Sequence, residues 1–466
     1  MHNRIIFILI FIGLSISALS QGTKLISINI DNYDDTTLIL TSYHGDKIRL
    51  VDTAYSREGK FKFSNNSEFE GGIYMAVNAK KIKLFEFIVN NEPKPILSTD
   101  TSSYIRNMKI KGSKENKIFF DYVKFNENTF KQSKQLYSKL ANTNSADEEY
   151  DKLISEIDSI NKISKDYKAN IIESKHKLFV SALLNSMQDV EIPESILSGN
   201  DSATIFKYYK NHYWDNLNLS DSRFLRTPIL NKKVNEYFER LIPFQPDSII
   251  IGIDFVLNKA IGSEENFSFL IWKFIAEYQN PKFMGFDKVF VHIAEKYFKN
   301  DDYQIENASV SVRKSIVERA ERIKPLILGN KAPDLILIDT SNNYVSFNHL
   351  SNNYIILLFW DLECGICKKE IAYLKENMPK WKYDIGIFAI NTNGDIEKWK
   401  KFIINNKLEW MNVNGTRSVT SDFHTLYDIY GTPVIYLLDK ERNIVAKRMG
   451  AKQIPEIINR LEKSND

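Results

Sequence analysis

The sequence predicts a multidomain chain: an N-terminal antiparallel β-sandwich, a helical middle domain and a C-terminal α/β domain. Three observations predict it. Up to about residue 110 the chain is a series of short, β-branched apolar runs separated by Gly, Asn and Asp, the pattern of short strands and turns. From about 112 to 324 apolar residues recur at helical spacing. From about 326 onward, apolar runs alternate with amphipathic segments, which places helices against both faces of a sheet. The expected divisions are a leader over 1–20, the sandwich over 21–111, the helical domain over 112–325 and the α/β domain over 326–466.

In the leader, Arg4 precedes an apolar run from Ile5 to Ala18, followed by Leu19-Ser20-Gln21. A basic start, a short apolar stretch and a small-residue site predict export with cleavage after Ser20. The run is short for a bilayer span and no Cys follows to take a lipid, so stable membrane insertion is not expected after cleavage. An uncleaved anchor is the alternative. The remaining residues, about 446, exceed what one core organises. Net charge is +3 without blocks of one sign, which argues against nucleic acid or an anionic membrane as partner.

In the sandwich, Leu25–Ile30, Thr37–Thr41, Ile48–Val51, Phe61–Phe63, Gly72–Val77 and Phe85–Val89 read as strands. His44-Gly45-Asp46 and Arg57–Lys60 read as turns between them. In the helical domain, Lys131–Lys165 holds no Gly or Pro and predicts one or two long helices. Helices are also expected over 231–241, 248–260, 267–278, 287–298 and 307–322. Tyr213 and Trp214 read as core aromatics. His292, among Val289, Phe290, Val291 and Ile293, reads as a packed core histidine.

In the last domain, Asp334–Ile338 and Tyr344–Phe347 flank a polar turn and predict a hairpin. The unbroken apolar run Tyr354–Trp360 predicts a buried strand. Strands are expected again at 385–390, 431–439 and 443–449, and helices at 396–405, 421–430 and 455–461.

Cys364 and Cys367, the only cysteines in 466 residues, follow the Tyr354–Trp360 run directly. Cys367, Ile371, Leu374 and Met378 share one helical face, and Pro379 ends the pattern. Cys364 therefore sits at a helix start. Unpaired N–H groups and the positive end of the dipole favour a thiolate there. Cys367 lies within reach to close a disulfide onto it. Cys364 reads as the attacking thiol and Cys367 as the resolving one. A structural disulfide or half of a zinc site are the alternatives. No second CxxC or CxxH completes a metal set, so no metal is expected. An exported chain with two cysteines, both in one CxxC, points to a working dithiol.

Phe359-Trp360-Asp361-Leu362-Glu363-Cys364-Gly365-Ile366-Cys367-Lys368-Lys369-Glu370, then Gly431-Thr432-Pro433, and Lys331-Ala-Pro-Asp334 before them, resemble the TlpA/ResA type of thioredoxin-fold thiol–disulfide oxidoreductases. The resemblance covers about the last third of the chain. The preceding segments are similar to the DUF4369 type, in the strands, and the DUF5106 type, in the helices that carry Asn211–Trp214 and Arg226–Ile229. The resemblance implies a cis Pro433 that presents the Thr432 backbone to substrate. It implies a Trp360 that shields the dithiol and helps bind substrate, and a Glu370 that shuttles protons to Cys367 or disfavours its ionisation, an exposed helix Glu being the alternative. Glu363 and Ile366 depart from common residues at their positions. A carboxylate before Cys364 opposes thiolate formation, and no imidazolium stands between the cysteines.

The expected activity is exported, periplasmic thiol–disulfide exchange between the Cys364–Cys367 pair and protein thiols or disulfides. The chain is expected to act as reductase or isomerase, re-reduced by an upstream thiol donor, with no cofactor beyond the redox pair. One alternative is a binding protein with a vestigial dithiol. Another is a peroxidase; peroxiredoxins carry Thr and Pro where this chain has Asp361 and Leu357.

Overall fold

Alternation along the first strand sets the first core. Ile26, Ile28 and Ile30 are buried while their neighbours face out, as a half-buried strand requires. The computed structural model describes residues 23–465 except 93, 200 and 421, so the expected leader 1–20 lies outside the described residues. Eight strands follow in order: β1 (Thr23–Asp31), β2 (Thr37–His44), β3 (Lys47–Tyr55), β4 (Lys60–Phe69), β5 (Gly72–Asn78), β6 (Lys83–Val89), β7 (Ile96–Asp100) and β8 (Lys109–Lys111). They form two four-stranded sheets, β4-β1-β7-β8 and β3-β2-β5-β6. Both sheets feed one apolar cluster, with Ile28 and Phe61 from the first and Leu40 and Phe87 from the second. This is the expected sandwich with one departure: β1 and β7 pair in parallel, Ser27 opposite Ile96.

Long helices follow at Lys114–Leu140 and Glu148–Ser174. Ser113 caps the first, accepting the Asn116 N–H at 3.0 Å, which satisfies one of its free donors. Tyr213 and Trp214 are buried, as expected of core aromatics. His292 differs from its expected place in the core. It is half-buried, and its Nε2 lies 2.9 Å from Asp254 Oδ1. Among the described residues, no helix is long and apolar enough to cross a membrane.

By contacts the chain divides into two compact units between Tyr237 and Phe238. The second holds helices Pro246–Ala260, Glu264–Tyr278, Asp287–Ile293 and Val310–Ile323, then β9 (Ile336–Asp339), β10 (Tyr344–Ser346), β11 (Tyr354–Trp360), β12 (Ile385–Asn391), β13 (Met411–Ser418), β14 (Val434–Leu438) and β15 (Ile444–Lys447). These strands form one sheet in the order β10-β9-β13-β12-β11-β14-β15. β11 pairs in parallel with β12 and antiparallel with β14. It is central and covered on both faces, which explains its unbroken apolar sequence. Ile356, Leu358 and Trp360 face helices Gly365–Asn377, Ile396–Asn406 and Ile454–Asn465. Ile355, Leu357 and Phe359 face the opposite core with Phe347, Phe423 and Tyr427.

Candidate functional site

The site forms where β11 runs out. After Trp360 the chain turns: Asp361 Oδ1 accepts the Glu363 N–H at 2.7 Å and its carbonyl accepts the Cys364 N–H at 3.2 Å. Cys364 then caps the helix Gly365–Asn377 with extended backbone, φ −82° and ψ 108°. Its Sγ accepts the Cys367 N–H at 3.0 Å. The sulfur thus takes the place of a capping oxygen, at the end of the helix where N–H groups are unpaired and the dipole is positive. Cys364 is half-buried and Cys367 fully buried, on the same face as Ile371 and Leu374. The two cysteines are joined by a disulfide, with Cα atoms 5.2 Å apart. One sulfur is accessible and the other is enclosed behind it.

β14 supplies the opposite wall. Its register on β11 sets Val434 against Phe359, which carries the preceding residues to the cysteine end of the sheet. Thr432–Pro433 is a cis peptide bond, and the Thr432 carbonyl oxygen lies 3.5 Å from Cys364 Sγ. Thr432 and Pro433 are both half-buried. The segment before them is tied down at Asp428, whose carbonyl and carboxylate each accept from Arg448 at 2.9 Å.

Glu370 lies one turn beyond Cys367 and is half-buried. Its Oε2 accepts the Ala451 N–H at 2.7 Å, which pins the carboxylate between the helix and the start of the closing helical segment. Trp360 corrects an expectation. It is fully buried in the cluster that holds Cys367, Ile371 and Leu374, against Phe402 at 5.2 Å between ring centroids. The pleat turns it inward with Ile356 and Leu358, so it supports the dithiol from below and offers no surface to a substrate. Sequence reasoning missed Tyr430, 73% exposed two residues before Thr432, and it gave Ile366, 63% exposed between the cysteines, no surface role. The signal for Tyr430 was its place directly before Gly431-Thr432-Pro433. Among the described residues, no group of three or more His, Cys, Asp or Glu side chains is placed to hold a metal.

Comparison with known proteins gives three family matches. Residues 25–119 match the domain of unknown function DUF4369, residues 121–324 match the domain of unknown function DUF5106, and residues 328–447 match the AhpC/TSA family. The thiol-disulfide oxidoreductase ResA of Bacillus subtilis (strain 168) is 27% identical over 146 residues, 31% of this chain and 73% of that protein. ResA of a Bacillus cereus strain is 24% identical over 139 residues, 29% of this chain and 78% of that protein. Among solved structures, a domain of a possible thiol-disulfide isomerase from Cytophaga hutchinsonii is 39% identical, covers 30% of this chain and 96% of that one, and has a TM-score of 0.27. Through its C-terminal domain the chain belongs with the thioredoxin-like thiol–disulfide oxidoreductases of the AhpC/TSA family related to ResA, joined here to DUF4369 and DUF5106 domains.

Proposed function

We propose that this chain is an exported thiol–disulfide oxidoreductase that reduces or isomerises protein disulfides, with Cys364 as attacking and Cys367 as resolving thiol. The observation that carries the reading is the placement of the half-buried Cys364 sulfur. It sits at a helix start, 3.5 Å from the Thr432 carbonyl, with Cys367 enclosed behind it. Only the accessible sulfur meets an incoming chain, and only the enclosed one is positioned to release it.

In the reducing direction, the Cys364 thiolate attacks one sulfur of a substrate disulfide. That S–S bond breaks, a mixed disulfide forms, and the released substrate thiolate takes a proton. Cys367 then gives its proton to Glu370 and attacks the Cys364 sulfur. The mixed disulfide breaks and the substrate leaves as a dithiol, having gained two electrons and two protons. The chain is left as the Cys364–Cys367 disulfide, and an upstream thiol donor restores it. An extended substrate segment lies along the backbone of Thr432 and Pro433.

Glu363 and Ile366 set the direction. An exposed carboxylate beside Cys364 and the absence of an imidazolium between the cysteines make the thiolate less favoured, so the disulfide is a weak oxidant. Export rests on the apolar run Ile5–Ala18 behind Arg4. Equilibration with glutathione redox buffers tests the direction. A potential well below that of strong periplasmic oxidants, about −120 mV, supports a reductase or isomerase, and a value near it overturns that reading.

A further inference from the structure

The surface around Cys364 has more room than the fold requires. Gly365, Gly394 and Gly431 are exposed and stand at the cysteine end of the sheet. Gly365 opens the helix that Cys364 caps, and Gly431 directly precedes Thr432. Gly394 follows β12, whose last residue, Asn391, pairs with Trp360. None of the three has the left-handed backbone that favours glycine, and a Cβ built on any of them meets no atom within 4 Å. Elsewhere in the same domain glycine is needed for space. A Cβ on Gly386 meets Asn352 Oδ1 at 2.5 Å, and one on Gly415 meets the Phe423 ring at 2.7 Å. Alanine would fit at the three open positions and restrict the unfolded chain, so stability alone favours alanine there. What glycine supplies at them is a bare backbone that a ligand can approach closely.

Apolar side chains frame that open surface. Ile366 follows Gly365 and Tyr430 precedes Gly431, and both are exposed. Neither joins the apolar clusters of the domain. Two residues of chain span at most about 7 Å, so Ile366 is attached within that distance of Cys364, and Tyr430 within that distance of Thr432. The Thr432 carbonyl oxygen is itself 3.5 Å from the Cys364 sulfur. One exposed Ile or Tyr is ordinary on a protein surface. Here one stands on each wall beside a single reactive atom, each next to a glycine with open space around it. Apolar area left in water on both walls gains free energy when an apolar side chain covers it.

We propose that the site selects disulfides whose cysteine has a bulky apolar neighbour in an extended segment. The substrate backbone passes over Gly365 and Gly431, and its apolar side chains cover Ile366 and Tyr430. Such side chains are mostly buried in folded proteins, so the substrates are disulfides of incompletely folded chains. The proposal rests on the thiol–disulfide reading and names the substrate class of that same site. Single-turnover reduction by the reduced full chain tests it with two peptide disulfides of equal length and charge, one with Phe and one with Ser on each side of the cysteine. Hydroxyethyl disulfide serves as a substrate with no side chains to place. Half-covering one Phe ring corresponds to about five-fold in rate, so the Phe peptide should react about five-fold faster than the Ser peptide, or more. Ile366→Ser combined with Tyr430→Ser should bring that ratio close to one. Gly431→Leu should slow both peptides, by about five-fold or more. Both variants should reduce hydroxyethyl disulfide as the wild type does, which reports that the sulfurs are intact. If Gly431→Leu does not fold, the double serine variant, changed at exposed positions alone, carries the test. Equal rates for the two peptides, a preference that survives in the double variant, or peptide rates untouched by Gly431→Leu each overturn the proposal and leave the redox reading standing. No reaction with any of the three disulfides overturns both.

Discussion

The sulfur of Cys364 lies 3.5 Å from the carbonyl oxygen of Thr432, although 68 residues separate them in the chain. Two local facts bring them together. Cys364 caps the helix that leaves β11, and the antiparallel register of β14 on β11 returns Thr432 to the same end of the sheet. The attacking atom and the backbone that receives the substrate are thus fixed by neighbouring strands of one rigid core.

Glu370 is predicted to act on the second half of the exchange. Glu370→Gln keeps an oxygen to accept the Ala451 N–H, so stability should change by less than about 1 kcal/mol. Loss of a proton acceptor should slow release from the mixed disulfide by about a hundred-fold, the low end of general-base effects. Single-turnover kinetics, monitoring mixed disulfide and free product separately, check this; an unchanged release rate removes Glu370 from the mechanism.

Trp360 is predicted to matter for stability and not for substrate contact. Its Nε1 is buried without a hydrogen-bond partner, so Trp360→Phe removes an unmatched donor while keeping an aromatic ring, and should cost less than about 1.5 kcal/mol. Trp360→Ala leaves a cavity in the main core and should cost about 3–5 kcal/mol. Denaturant titration of both variants, with KM for a disulfide substrate, distinguishes the roles. A raised KM in a fully folded Trp360→Phe protein would restore the substrate-facing assignment.

The buried pair Lys447–Asp287 gives a double-mutant prediction. The side chains are 6% and 12% exposed. Lys447→Met alone strands a buried carboxylate and should destabilise by about 3–5 kcal/mol. Lys447→Met with Asp287→Leu removes both charges and should recover most of that loss. Equal losses in single and double variants would mean that packing dominates at this position.

Asp254 predicts a pH dependence. Burial works against its carboxylate, but hydrogen bonds from His292, Lys296 and Tyr297 prevail and hold its pKa at about 2, below the usual 3.8. A depressed carboxylate stabilises the folded state above its unfolded value and loses that contribution as pH falls through the folded one. The stability advantage of the wild type over Asp254→Asn should therefore be full above pH 3.8 and vanish towards pH 2. Acid unfolding of both proteins measures it, and a constant difference across that range contradicts it.

Local patterns in the sequence were read correctly where one physical signal dominated. The run Tyr354–Trp360 coincides with β11 because a central strand covered on both faces must be apolar throughout. The spacing of Cys367, Ile371 and Leu374 located the helix and its inner face. β13 was missed because its sequence, Met-Asn-Val-Asn-Gly-Thr-Arg-Ser, does not look buried. Asn412 and Asn414 are nonetheless enclosed, their amides donating to the carbonyls of Leu408, Trp410 and Asn393. The parallel pairing of β1 with β7, the bond from Ala451 to Glu370 and the link from Lys447 to Asp287 join residues far apart in sequence. No local pattern encodes such pairings.

The division of labour between the two sulfurs is tested most directly by trapping. Reduced Cys367→Ser and reduced Cys364→Ser are each mixed with a disulfide substrate such as insulin, quenched with acid and examined by intact mass. Cys367→Ser should hold a substrate adduct on Cys364, while Cys364→Ser, with its remaining thiol enclosed, should form almost none. Equal adducts on both variants, or none on either, would contradict the account.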